Sequence, residues 1–112
     1  MALPKELRLE REKIREILKK GKKAKIKFLV FQFRESNLKN SKFAIMVSLK
    51  VSKKAVVRNK IRRRISEILR EIAKKLKKQL EIVVITLPGI ENLSFSELKE
   101  SIEIFFKDIG AL

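Results

Sequence analysis

The sequence predicts an α+β fold, a two-layer α-β sandwich with elements in the order α-β-β-α-β-α. Three patterns carry that prediction. Apolar residues recur every three to four positions in some stretches, alternate with small or polar residues in another, and crowd into a nearly unbroken run in a third kind. The first period belongs to helices, the second to a half-buried strand and the third to an interior strand.

A first helix is expected over residues 8–20, where Ile14, Ile17 and Leu18 share a face and Gly21 follows as a left-handed stop. Residues 24–33, with Ile26, Phe28, Val30, Phe31 and Phe33, read as one strand, followed by a Ser- and Asn-rich turn over 34–41. Its alternation is imperfect and leaves open which face is buried. Residues 41–51 alternate cleanly, with Phe43, Ile45, Val47, Leu49 and Val51 opposite Ala44, Met46, Ser48 and Lys50. The second of these faces is small and polar enough to stay open to a ligand. A long helix over 55–79 places Val57, Ile61, Ile65, Ile68, Ile72 and Leu76 on one stripe, with Lys or Arg over most of its remaining circumference. Ile82, Val83, Val84 and Ile85 form the interior strand, over 81–87, ended by Pro88-Gly89. Ser94 and Glu97 make a capping box for the last helix, whose Leu98, Ile102, Phe105 and Ile109 face the core, with Gly110 as its stop.

The 112 residues fit one domain, 1–112, long enough for a modest core. Neither Cys nor His occurs, which excludes disulfides, thiolate and imidazole metal ligands, and the commonest nucleophile and general base. The cytoplasm is the expected compartment. No apolar run reaches the ~18 residues of a membrane helix, so no membrane partner is expected. Glu97, Glu100 and Glu103 recur on the last helix, but capping and pairing with Lys99 or Lys107 account for them without catalysis.

The net charge of +16 is unevenly spread. Between residues 17 and 66 there are 17 Lys or Arg and a single acid, Glu35; residues 80–112 hold 2 bases and 6 acids. So dense a field of one sign calls for a polyanion. The bases tighten over 53–64, and no acid follows until Glu67, whereas a merely solvated helix face mixes signs for pairing along the helix.

Ala55-Val56-Val57-Arg58-Asn59-Lys60-Ile61-Arg62-Arg63-Arg64-Ile65 resembles the Arg-Asn-Arg signature of the bacterial ribonuclease P protein component. Leu3-Pro4-Lys5 with Arg8-Leu9, Gly21, the aromatic strand, the alternating strand and Glu81-Ile82-Val83-Val84-Ile85 match that family in the same order. The resemblance implies a βαβ crossover of left-handed sense, against the general rule. It implies a single RNA-binding domain that assists removal of the 5′ leader from precursor tRNA. The partner would be a catalytic RNA, one protein per RNA, which uses Mg²⁺ while the protein holds no cofactor, metal or catalytic residue. Arg58, Asn59, Lys60, Arg62, Arg63 and Arg64 fall on the face that docks the catalytic RNA, and Arg58, Asn59 and Arg62 lie off the apolar stripe. Phe31, Lys50, Lys53, Lys54, Ile14 and Leu18 fall at or near the cleft for the single-stranded leader. Ile14 and Leu18 replace residues that are commonly Phe, and an apolar helix stripe also reads as core. Ser66 stands where a further base is frequent, and Ser52-Lys53-Lys54 lacks the usual Gly. Charge alone is also compatible with a general RNA- or DNA-binding protein, ribosome-associated or of the nucleoid. A membrane-active amphipathic protein fits poorly, since the basic helix belongs to a chain rich in strands and without Trp.

Overall fold

The strand with the longest apolar run takes the interior of the sheet. In the computed structural model, which describes residues 3–37 and 39–112, β4 (Leu80–Thr86) lies between β2 (Leu29–Glu35) and β3 (Lys42–Met46), with β1 (Lys22–Ile26) outside β2. β1 and β4 each run antiparallel to β2, while β3 runs parallel to β4. A parallel pair needs a crossover, and α2 (Ala55–Ala73) supplies it. α1 (Arg11–Lys20) precedes the sheet and α3 (Phe95–Asp108) closes the chain.

Strand parity divides the sheet into two faces. Leu29 and Phe31, Phe43, and Leu80, Ile82 and Val84 face α2 and α3, whose Ile61, Ile65, Ile68, Leu69, Ile72, Leu98, Ile102 and Phe105 complete the main core. Phe31 and Phe105 stack with ring centroids 4.0 Å apart, and Phe33 meets Phe105 edge-on at 5.1 Å. On the other face Ile17 of α1 packs with Leu9 and Val83, and Ile14, Leu18, Ala44 and Ile85 surround them. α1 therefore covers only part of its face. Arg34 ties it down: Nε donates to Glu81 Oε1 at 2.7 Å and Nη2 to Glu16 Oε1 at 3.0 Å. Those bonds, Glu81 first, push the guanidinium to an even higher pKa. Glu81 is buried, so Arg34 compensates a carboxylate that would otherwise be stranded.

Several expectations hold at residue level. Ser94 Oγ accepts from the Glu97 N–H at 3.1 Å and the Glu97 carboxylate accepts from the Ser94 N–H at 2.9 Å, completing the capping box. That backbone bond holds the Glu97 carboxyl below its usual range. Gly110 follows α3 at φ 75°.

Others are corrected. Residues 24–33 form a hairpin, not one strand, because Lys27 and Phe28 turn between the paired Ile26 and Leu29. Neither residue is a turn former. Tertiary contact holds the turn instead: Phe28 O accepts from the Leu87 N–H at 2.8 Å, and its ring lies so near Gly89 (φ 106°) that a Cβ there would come within 2.6 Å. Lys27 consequently sits at φ 53°. Lys27→Gly removes that strain and is expected to raise stability by about 0.5–1 kcal/mol, seen as a higher urea midpoint at unchanged slope.

Gly21 is extended, at φ −68°, rather than left-handed. Its need for glycine is steric, since a Cβ would stand 2.6 Å from the Ile17 carbonyl oxygen. The alternating strand stops at Met46; Val47 and Val51 are buried in a turn while Leu49 is 65% exposed. α2 ends at Ala73, before Lys74, Lys75, Lys77 and Lys78, whose like charges one turn apart oppose its continuation.

Both sheet edges carry cations. β1 exposes Lys22, Lys23 and Lys25. Along β3 the N-terminal segment lies beside the strand, with Arg8 opposite Phe43 and the Leu9 N–H donating to Phe43 O at 2.9 Å.

Candidate nucleic-acid interface

α2 presents its polar and basic residues on two flanks because each residue turns the helix by about 100°. Asn59, Arg62 and Arg63 face the edge of β3 and the N-terminal segment, where Arg8 joins them. Lys60 and Arg64 lie on the opposite flank with Lys54, above the loop that leads into α3. Asn59, Lys60 and Arg63 are exposed and Arg62 and Arg64 half-buried. Asn59 Oδ1 accepts from Arg62 Nη1 at 2.8 Å, which steadies the guanidinium. Six of the expected docking residues thus occupy the first three turns of one rigid element.

Arg58 differs from the expectation that it lies free of the fold. It is half-buried, and its Nη1 donates to the Ser52 carbonyl at 2.9 Å, closing the loop before α2. Helical geometry explains this: Arg58 projects along the side that Ile65, Leu69 and Ile72 bury. Ser66, in the same way, is buried, with its Oγ donating to the Arg62 carbonyl at 2.8 Å.

The second surface is the uncovered part of the sheet beside α1. Val30 and Gln32 of β2, Ala44 and Met46 of β3 and Val83 and Ile85 of β4 share this face by parity. Met46 is 42% exposed at its open end. Ile14 and Leu18, half-buried, pack at the rim of the small α1 cluster, contributing to packing while keeping part of their surface in solvent. Lys50, Lys53 and Lys54 are exposed in the loop after β3.

Phe31 does not belong to this surface. It is fully buried on the opposite face, stacked on Phe105, because its parity matches Leu29 and Phe33. Two residues that the sequence reading missed do belong: Lys23 pairs with Gln32 and Lys25 with Val30, which puts both lysines beside the open face. Their alternation with Ala24 and Ile26 was the available signal, hidden by reading the hairpin as one strand. Among the described residues, no three acidic side chains gather closely enough to hold a metal ion.

A basic helix thus crosses from β3 to β4 beside a half-covered sheet face. Residues 3–110 match the Ribonuclease P family. The chain belongs to that family. It is similar to the Thermotoga maritima ribonuclease P protein, at 29% identity and TM-score 0.82 over 93% of this chain and 98% of that one. The same T. maritima protein in complex with 1-(4-fluorophenyl)-2-thiourea matches at 30% identity and TM-score 0.81, covering 89% and 97%. A Staphylococcus aureus ribonuclease P protein mutant with defective mRNA degradation activity shares the fold, with TM-score 0.86 and 24% identity over 96% and 92%. No curated protein matches by sequence. The chain is accordingly the protein subunit of ribonuclease P, an RNA-binding component of tRNA processing, and a general RNA- or DNA-binding role is not favoured.

Proposed function

We propose that the first three turns of α2 dock the catalytic RNA of ribonuclease P and that the open sheet face beside α1 receives the 5′ leader of precursor tRNA. The observation that carries this reading is the separation of two cationic surfaces on one small domain. Arg62 and Arg63 of α2 with Arg8 lie along β3 and its N-terminal neighbour, while Lys23 and Lys25 border a largely apolar sheet floor. Exposed cations on a rigid helix meet several phosphates at once, and an apolar floor with a basic border suits unstacked single-stranded bases. The RNA performs the hydrolysis, with Mg²⁺ supplying charge neutralisation at its phosphates, and one protein serves each RNA in the cytoplasm. The protein's part is to screen RNA–RNA repulsion and extend the substrate site along the leader.

Ile14→Phe and Leu18→Phe test the leader surface. Each adds an aromatic face at the rim of α1, and the expected result is about fivefold or more tighter binding of precursor tRNA by the assembled enzyme, with mature tRNA unchanged. A drop in melting temperature without any selective gain would assign Ile14 and Leu18 to packing alone.

A further inference from the structure

A cleft of about 500 Å³ opens between the N-terminal segment, the outer edge of β3 and α2. Leu3, Leu9, Phe43, Ala44 and Ile45 give it apolar walls, and Arg8, Asn59, Arg62 and Arg63 form its cationic side. Among the described residues no carboxylate lines it. Ser66, the remaining lining residue, folds back on its own helix through its bond to the Arg62 carbonyl, which leaves the space open.

The polar side has one chemical sense. A guanidinium has donors and no acceptor, so the bond from Arg62 Nη1 fixes the Asn59 amide with Oδ1 toward Arg62 and leaves Nδ2 as the group free to bond a ligand. Every free polar group there is then a donor, apart from the lone pairs of Ser66. The volume suits a small flat ligand. A phosphate backbone lying across the arginines would satisfy their charge yet leave the apolar walls in water. An unstacked base covers the walls while its own phosphate meets an arginine.

Building on the docking reading above, we propose that this cleft accepts one unstacked guanine of the RNA partner. Guanine carries two adjacent acceptors, O6 and N7, on one edge, which match the donors of Asn59 and an arginine. Adenine and cytosine place an amino donor on that edge, opposite donors.

The test is a titration of the isotope-labelled full chain with each of the four 5′-nucleoside monophosphates, following the Ala44 methyl and the Asn59 side-chain amide. GMP is expected to shift both and to bind about fivefold or more tightly than AMP, CMP or UMP, the last having a single acceptor on that edge, and Asn59→Ala to erase that preference. UMP binding as tightly as GMP overturns the guanine site. Ser66→Arg fills the cleft while adding a positive charge, so the folded variant is expected to bind ribonuclease P RNA more weakly, where a simple charged face would bind it more tightly. Should that variant not fold, the nucleotide titration of the parent decides. Equal responses to all four nucleotides, or none, overturn the guanine site. If Lys60→Ala on the far flank still weakens RNA binding in that case, docking through α2 stands without the base site; if it does not, the docking reading fails as well.

Discussion

Stripped of RNA, the protein is expected to leave precursor tRNA intact in the presence of Mg²⁺, and addition of a bacterial ribonuclease P RNA to restore a single cut at the mature 5′ end. Phosphodiester hydrolysis by a polypeptide requires a general base and acid, or carboxylates arranged around metal ions. This chain has no His and one Asp, Asp108, and several of its glutamates already have structural partners. Glu81 and Glu16 hold Arg34, Glu97 caps α3, Glu91 accepts from the Gly89 N–H at 2.8 Å, and Glu71 pairs with Lys74. The stimulation by protein should be greatest at low magnesium, where RNA–RNA repulsion is least screened. Site-specific cleavage that survives nuclease treatment and repurification would move the active site onto the polypeptide.

RNA binding should collapse with salt. If six to ten phosphates are neutralised, raising the salt from ~50 to ~200 mM lowers affinity about a thousandfold or more on the scale set by duplex DNA, and somewhat less for single strands. The variant that separates docking from folding is Asn59→Ala with Lys60→Ala and Arg63→Ala, because all three side chains are exposed. Its salt slope should fall by about two, one for each lost phosphate contact, with an unchanged circular dichroism spectrum. Arg58→Ala is a different experiment. It removes the bond to the Ser52 carbonyl and so loosens the loop before α2, at a cost of about 1 kcal/mol in stability. A flat salt titration of the parent, or affinity of the triple variant within twofold of the parent, would reject docking by these bases.

Long-period patterns were legible in the sequence. The spacing of Ile61, Ile65, Ile68 and Ile72 located the buried stripe of α2, the Ile82–Ile85 run located the central strand, and Ser94 with Glu97 located the start of α3. What was missed depended on contacts distant in sequence. The hairpin at Lys27 and Phe28 has no turn residues and exists because Phe28 packs over Gly89. That one turn decides the parity of β2, and with it whether Phe31 or its neighbours Val30 and Gln32 reach the open face. Lys23 and Lys25 were missed for the same reason. Arg58 read as a free cation since a sequence does not show that its guanidinium can reach back to Ser52. The signature segment lies on one helix, as the sequence pattern indicated, but neither pattern nor resemblance divides that helix into the flank toward β3 and the flank toward α3.

The lysines on β1 have a meaning for the subunit before it meets RNA. An outer strand offers unpaired backbone groups to any second chain, and Lys22, Lys23 and Lys25 surround that template with like charge. Two copies approaching edge to edge must bring these charges together, within a molecule that already carries +16. The repulsion that keeps free copies apart is screened by the same ions that weaken RNA binding. Released into concentrated salt, the protein should therefore lose its partner and its colloidal protection together, with light scattering rising as RNA is shed, and Lys23→Thr with Lys25→Thr should bring that onset to lower salt.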